Sequence, residues 1–126
     1  MVGGARDILK ALETVRKDGA GFLDSRLAHL MRSAHVDADL RAQGDGWGFG
    51  YMGAVLMDPS RLITPQRVGT VGWGGVYGHS WFVDVASGLT VVALTNTTWE
   101  GVGGRFPEDV RDAVYAAFGR AGARAS

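Results

Sequence analysis

One serine lies in a pattern that could support nucleophilic catalysis. Gly78-His79-Ser80-Trp81-Phe82 begins like the G-x-S-x-G elbow, in which a serine on a tight strand-to-helix turn attacks an acyl carbonyl. That elbow requires glycine two residues after the serine, whereas Phe82 stands there and a strand pattern continues. We therefore interpret Ser80 as an ordinary strand serine. A small independent enzyme that pairs Ser80 with His79 or His35 is the hypothesis with the least support.

Two further patterns match ligand sites in their letters only. Residues 48–53 spell G-x-G-x-x-G, but a dinucleotide-binding fingerprint must open a helix, and a strand-like run follows here. Four polar residues that could be drawn together as metal ligands lack any compact ligand spacing. These four are His29, His35, Asp37 and Asp39. We interpret the glycines as part of a crowded sheet and the polar residues as solvent-facing. The sequence thus predicts no metal and no other cofactor.

The composition is that of one globular domain. Of 126 residues, 46% are hydrophobic and 21% are charged, close to the averages for globular proteins. Thirteen basic and thirteen acidic side chains cancel, so no overall field favours nucleic acid or an anionic membrane as a partner. The absence of cysteine excludes disulfides, thiolate metal sites and a cysteine nucleophile. Since no signal-like or membrane-spanning apolar run is visible, we expect a cytoplasmic protein without membrane contact.

Helical periodicity marks the first part of the chain. Apolar residues at three-and-four spacing over 5–15 predict a helix that ends at Gly19 or Gly21. Asp24 or Ser25 can accept the free N–H groups in the first turn of a second helix. The second helix is expected to bury three apolar side chains. These are Leu27, Leu30 and Met31.

Three or four antiparallel strands are predicted next, followed by a last helix. Residues 47–57, 68–73, 77–85 and 89–95 carry the aromatic and β-branched residues typical of strands. The last run is nearly all apolar, so we expect a central strand covered on both faces. A helix is predicted from Pro107 to Gly119. Its expected buried stripe is Val110, Val114, Ala117 and Phe118. The predicted fold class is therefore α+β, with terminal helices packed on an antiparallel sheet.

The segment from residue 72 to residue 96 carries a more specific pattern. Gly72-Trp73-Gly74-Gly75-Val76-Tyr77-Gly78 is followed by Ser80-Trp81-Phe82-Val83-Asp84 and then by the apolar run that ends in Thr95-Asn96. This resembles the C-terminal part of the serine β-lactamase and penicillin-binding-protein superfamily, above all its family VIII carboxylesterase-like branch. Trp73-Gly74-Gly75 matches the third active-site motif of that branch, while Val85 replaces a usual proline. The Gly3–Leu9 segment resembles a helix start of the same family, so the match is colinear over nearly the whole chain.

The resemblance implies a role for each residue of this motif. Two successive glycines let a strand backbone approach a substrate carbonyl, and the N–H of Val76 would then hold the negative oxygen of a tetrahedral intermediate. Trp73 would form a wall of the acyl pocket. Because the β-lactamases carry lysine where Trp73 stands, the resemblance also implies weaker recognition of anionic β-lactams. The implied oxyanion and substrate-pocket residues are Trp73, Gly74, Gly75 and Val76.

The catalytic motifs that the family carries upstream are absent. No serine has a lysine three residues later, and no tyrosine has an asparagine two residues later. Residues 1–126 therefore resemble, as a single domain, the C-terminal third of a serine hydrolase without its nucleophile and base. The resemblance implies acyl transfer on esters, amides or β-lactams through an acyl-enzyme. We expect no turnover by this chain alone, and an ester or β-lactam-like small molecule as partner once an N-terminal portion completes the site.

A second hypothesis is a non-catalytic module derived from the same fold. Four tryptophans could line an apolar groove that binds a small molecule. These are Trp47, Trp73, Trp81 and Trp99. An unpaired strand at the edge of a truncated sheet would also favour a homo-oligomer or a domain swap. We expect a fragment of a larger enzyme to form oligomers or to associate nonspecifically, whereas an evolved binding module should be monodisperse in solution.

Overall fold

The computed structural model of the chain describes residues 3–36 and 44–125. Its helices and strands, in chain order, are α1 (Ala5–Arg16), α2 (Ser25–Met31), β1 (Ala34–Val36), β2 (Trp47–Gly50), β3 (Ala54–Leu56), β4 (Val71–Gly74), β5 (His79–Asp84), β6 (Leu89–Leu94) and α3 (Phe106–Ala125), with a short 3-10 turn at Pro59–Arg61 before β4. The six strands form one antiparallel sheet in the order β1-β2-β3-β4-β5-β6. The predicted α+β class is confirmed, although the sheet has more strands than the three or four expected.

The additional strands come from the first half of the sheet. The predicted strand over 47–57 is a hairpin, in which Trp47 pairs with Leu56 and the N–H of Gly50 donates to the carbonyl of Gly53 at 2.8 Å. β1 crosses so close to Gly50 that an added Cβ would lie 2.1 Å from the carbonyl oxygen of Ser33. Glycine at position 50 is therefore required by the backbone approach, which confirms a crowded sheet in place of a dinucleotide loop.

Helix α1 packs on one face of the sheet and forms the core with it. Leu12 joins Val55, Val71 and Val83 in a buried cluster, to which the partly exposed Trp81 adds its ring. A polar contact fixes the same helix to the edge of the sheet. The Glu13 carboxylate accepts hydrogen bonds from Arg16, at 2.6 and 2.8 Å, and from the hydroxyl of Thr90 on β6. These bonds hold the pKa of Glu13 at about 2, well below its usual value.

The connection from α1 to α2 is held by Arg32. Its guanidinium donates to the carbonyl of Val15 at 2.9 Å and forms an ion pair with Asp18 at 2.7 Å. It thus adds a second hydrogen bond to a carbonyl near the end of α1, which also accepts the N–H of Asp18 at 3.3 Å. The chain turns back here through Asp18 and Ala20, which both have positive φ, at 55° and 47°. The predicted cap of α2 is confirmed, because the Asp24 side chain accepts the N–H of Arg26.

Asp84 anchors helix α3 on the opposite face. Its side chain is fully buried and accepts hydrogen bonds from the hydroxyl of Tyr115 and the backbone N–H groups of Arg67, at 3.2 Å, and Ser87, at 3.0 Å. The Tyr115 ring stacks on Phe82 with centroids 6.0 Å apart. Burial, followed by the bond to Asp84, raises the pKa of Tyr115 above its usual value. One carboxylate therefore joins α3, the β5–β6 turn and the segment before β4.

Several expected burials are wrong. Leu27 and Leu30 of α2 are 50% and 46% exposed, and only Ala28 of that helix is buried. Phe118 of α3 is 60% exposed, and the helix continues past Gly119 to Ala125. The apolar strand predicted to be central is β6, which lies at the edge of the sheet. It is apolar because α1 covers one of its faces and α3 approaches the other. Its composition therefore reflects burial of its two faces by helices, and does not show whether the strand is central or at the edge of the sheet.

Within residues 3–36 and 44–125, no helix combines the length and apolar character needed to cross a bilayer.

Candidate functional site

The predicted motif lies at the end of β4 and in the tight turn that leads to β5. Gly75 donates its N–H to the carbonyl of His79 at 2.9 Å, and Gly78 donates to the carbonyl of Gly75 at 3.0 Å. Neither Val76 nor Tyr77 has positive φ, whereas Gly78 has φ of +100°. This is the arrangement of a three-residue hairpin built on a type I turn, closed by a glycine in the left-handed region.

The turn presents the backbone N–H group of Val76, for which the described residues offer no acceptor. Among the hydrogen bonds of the described residues, this N–H donates none, while the Val76 carbonyl accepts the N–H of Trp99 at 2.6 Å. The Val76 side chain is 41% exposed. A backbone donor left free at a rigid, exposed turn is the kind of group that can stabilise a developing negative charge without reorganisation.

The two glycines of the motif are held in close contact with their surroundings. A Cβ on Gly74 would lie 1.7 Å from the carbonyl oxygen of Gly101, and one on Gly75 would lie 1.8 Å from the His79 ring. Gly101 itself is pressed against the carbonyls of Gly75 and His79. The backbone contact with Gly101 requires glycine at 74, whereas the neighbour of Gly75 is the His79 ring, a side chain that can move. Both contacts are internal to the fold. They clamp the 97–105 loop, which connects β6 to α3, onto the turn that carries Val76.

A cleft opens beside Trp73, between β4, the 97–105 loop and the start of α3. It has a volume of about 200 Å³, and a second cavity of similar volume shares Trp73, Gly74 and Gly101 with it. Trp73 is 40% exposed, and its ring meets Phe49 edge to face at a centroid distance of 5.3 Å. Trp47 lines both cavities. The aromatic surface that a substrate would meet is thus held in place by packing behind it.

Sequence reasoning missed the polar residues of this cleft. Gln66, Glu108 and Arg111 line it together with Ser80. The Arg111 side chain is 17% exposed and pairs with Asp112 at 2.8 Å. Nothing in the local sequence shows that the first turn of α3 would meet the end of β4.

The other candidate residues are dispersed. Ser80 faces the cleft, but the adjacent His79 lies against Gly75, since successive strand residues alternate between faces. The ring of His35 bonds the carbonyl of Leu30 at 3.0 Å and packs on Tyr51. Asp37 and Asp39 lie outside the described residues. Within the described part of the chain, no cluster of three or more histidine or acidic residues could hold a metal ion.

Three of the four tryptophans that could form a groove come together. Trp47, Trp73 and Trp81 line the cleft, whereas Trp99 does not. Trp99 lies two residues before Gly101, on the loop bonded to Val76, and is 65% exposed.

Comparison of the sequence and the structure with known proteins identifies relatives of this chain. Over 116 residues, 92% of the chain, the sequence is 53% identical to "Esterase EstB" of Burkholderia gladioli, of which it covers 29%. The structure titled "EstCE1, a hydrolase with promiscuous acyltransferase activity" matches with a TM-score of 0.84 and 54% identity, over 90% of this chain and 30% of that one. "Simvastatin Synthase (LovD) from Aspergillus terreus, unliganded" matches with a TM-score of 0.69 over 88% of this chain and 34% of that one; at 18% identity, this match shows the fold alone. No family model matches.

These matches confirm the predicted resemblance. The chain is similar to a portion of β-lactamase-like esterases, and its fold is found in β-lactamase-fold proteins. It spans about 30% of the length of the esterase relatives.

Proposed function

We propose that this chain forms the oxyanion-donor strand and pocket wall of a serine esterase of the β-lactamase-like kind. The substrates are carboxylic esters. The N–H of Val76 binds the carbonyl oxygen as it becomes negative, and Trp73 forms one side of the pocket for the acyl group. Gly74 and Gly75 permit the contacts that hold this turn in place. Within this proposal, residues 1–126 act as one domain.

The observation that carries the proposal is the 53% identity to an esterase over 92% of the chain. Two features of the geometry support it: the N–H of Val76 makes no hydrogen bond among the described residues, and the partly exposed Trp73 borders a cleft whose lining includes Gly74 but not Gly75 or Val76. Such a donor contributes a factor of about 10² to 10³ in rate when it is aimed at the developing oxyanion.

In this proposal, the attacking serine and its base lie outside these 126 residues, in the same or in a separate polypeptide. The exposed apolar side chains of α2, Leu27 and Leu30, fit a surface that such a part would cover. The step itself needs no cofactor. The serine oxygen bonds to the acyl carbon, the alcohol leaves with the proton that the base took from the serine, and water later hydrolyses the acyl-enzyme.

A complementation experiment tests the proposal. The chain is refolded alone and together with the part of EstB that it does not align with, and hydrolysis of p-nitrophenyl butyrate is followed. We expect turnover only from the mixture. We also expect a fluorophosphonate adduct, located by intact-mass spectrometry, only on the EstB part. An adduct on this chain, for which Ser80 is the candidate, would contradict the proposal.

Should the mixture prove inactive, the cleft can be tested as a binding site for the non-catalytic hypothesis. The observation that favours that hypothesis is that the tryptophans Trp47 and Trp73 line the cleft. Quenching of tryptophan fluorescence by small apolar amides, lost in Trp73→Ala, would support a binding module.

A further inference from the structure

Trp99 is held in a backbone conformation that is unfavourable for a tryptophan. Its φ is +74°, in the left-handed region that a bulky side chain rarely adopts. Backbone hydrogen bonds hold it there: its N–H donates to the carbonyl of Val76 at 2.6 Å, and its own carbonyl accepts the N–H groups of Val102 and Gly103 at 3.0 and 2.9 Å. Glycine at this position would make the same bonds without the strain. The backbone alone therefore gives no reason for an indole here.

The indole also contributes little burial, because Trp99 is 65% exposed. It belongs to a rim of exposed apolar side chains around the turn, with Val76 at 41%, Tyr77 at 79% and Val102 at 59% exposure. Strained residues that folding does not require are concentrated at functional sites. The rim surrounds the turn that carries the unused N–H of Val76.

The position of Trp99 relative to the cleft indicates which part of an ester it would meet. Gly101 and Val102 line the cavities beside Trp73, and Trp99 lines neither of them. Trp73 on β4 and Trp99 on the loop bonded to Val76 are therefore two separate apolar groups near this turn. An ester carbonyl bound at Val76 has two substituents that diverge from it. If the acyl chain enters the cleft at Trp73, the alcohol portion lies toward Trp99.

We propose that Trp99 is a specificity-determining residue that selects esters of aromatic or bulky apolar alcohols. This inference rests on the proposed function, since it takes Val76 as the carbonyl-binding donor. The flat face of the indole packs against the alcohol portion before and during acylation. It contributes packing and excludes water, and it takes part in no proton transfer. Packing between two aromatic groups changes specificity about three- to tenfold.

The variants can be chosen so that they fold. Trp99→Gly removes the indole and relieves the positive φ, and Trp99→Asn does the same with a residue that also tolerates this region. Trp99→Phe keeps an aromatic face and should restore selectivity. Phe22→Ala serves as a matched control, because Phe22 is 91% exposed and lies on the connection between α1 and α2.

The first arm uses the chain alone, labelled with 5-fluorotryptophan and titrated with benzyl alcohol or ethanol while its ¹⁹F spectrum is recorded. We expect benzyl alcohol to shift the Trp99 resonance, assigned from Trp99→Phe, more than ethanol does. Phe22→Ala should leave that response unchanged. Equal responses to the two alcohols would overturn the inference, whether or not the complementation mixture is active.

The second arm uses the mixture with EstB and measures kcat/KM for benzyl and ethyl butyrate, then for butyrate and acetate esters of one alcohol. Trp99→Gly and Trp99→Asn should reduce the benzyl-to-ethyl ratio about three- to tenfold and leave the butyrate-to-acetate ratio unchanged. Trp73→Ala should change the latter ratio. An active mixture in which Trp99→Gly leaves the benzyl-to-ethyl ratio unchanged would overturn the role of Trp99 and leave the proposed function intact.

Discussion

Replacing Asp84 by alanine should be among the most destabilising single changes in this chain. The substitution removes a fully buried carboxylate and leaves three donors without their acceptor, namely the Tyr115 hydroxyl and the N–H groups of Arg67 and Ser87. Hydrogen bonds to a charged group contribute about 1.5–3 kcal/mol each, and water that enters the gap restores part of that loss. We therefore expect the free energy of unfolding to fall by about 3–5 kcal/mol.

The loss expected for Asp84→Ala is a large fraction of the total free energy of unfolding. A domain of 126 residues has an unfolding free energy of roughly 6–19 kcal/mol, at about 0.05–0.15 kcal/mol per residue. Urea denaturation, followed by far-ultraviolet circular dichroism and tryptophan fluorescence, measures the change as a shift in midpoint at constant slope. Tyr115→Phe removes one donor and should cost about 1.5–2 kcal/mol. The double variant should lose less than the sum of the two, because both single changes break the same bond.

Asp58→Ala is the matched control. That carboxylate is also bound by a nearby N–H, but its partners, Ser60 and Arg61, lie in its own turn and its side chain is 42% exposed. Its loss should cost far less than the loss of Asp84, because its partners are local and solvent screens the charge. A loss below about 1 kcal/mol for Asp84→Ala, or additivity with Tyr115→Phe, would refute the idea that one carboxylate joins α3 to the sheet.

Four further outcomes are expected. Val76→Pro removes the free N–H at a turn position that suits proline, so the complemented esterase should lose about 10²–10³ in kcat while Tyr77→Ala loses little and circular dichroism stays unchanged; full activity would exclude Val76 as donor. Since the folded-state pKa of Glu13 is about 2 against 4.5 unfolded, its contribution is present above pH 4.5 and lost as pH falls toward 2, so urea midpoints of Glu13→Gln and the parent should converge at low pH and differ at pH 7. Because burial and the bond to Asp84 raise the pKa of Tyr115, stability should fall as pH rises above 10, and Tyr115→Phe, which lacks this ionisation, should lose less stability over the same range in urea denaturation; an equal loss in the two proteins would contradict the raised pKa. Ala20→Gly should stabilise the fold by about 1 kcal/mol, because glycine relieves the positive φ, and thermal unfolding should show this as a higher midpoint. Asp18→Gly should stabilise the fold less, because it also loses the ion pair with Arg32.

Local sequence patterns were sufficient to predict most helices and strands. Which side chains are buried depends on tertiary contacts, which these patterns do not show. The Asp24 cap depends on a residue two positions away, so its pattern was sufficient. The turn at Gly78 was not predicted, because this glycine falls inside the strand predicted over 77–85. The burial of Leu27 and Leu30 depends on which surface α2 meets, and a three-and-four pattern marks an apolar face without identifying its partner. The apolar composition of β6 was misread for a similar reason, since an edge strand covered by helices has the same composition as a central one.

The same distinction applies to the candidate site, where consecutive residues could be predicted and residues brought together by packing could not. Trp73, Gly74, Gly75 and Val76 were found because they are consecutive, and their proposed roles remain predictions. Glu108 and Arg111 lie more than thirty residues further along the chain, and only the packing of α3 brings them to the cleft. Trp99 was noticed as an aromatic residue, but its positive φ depends on the hydrogen bond to Val76 and has no sequence signal.

The order of the strands has a consequence for how the chain folds. Each strand pairs only with its neighbours in the sequence, so the sheet can grow hairpin by hairpin at small cost in loop-closure entropy. The long-range step is the docking of α1 on β6, which Glu13 and Thr90 join across 77 residues. Contacts of high sequence separation form slowly, so the β4–β6 hairpins should organise first and α1 should dock late. The donor-bearing turn would then reach its native geometry before the core beneath it is complete.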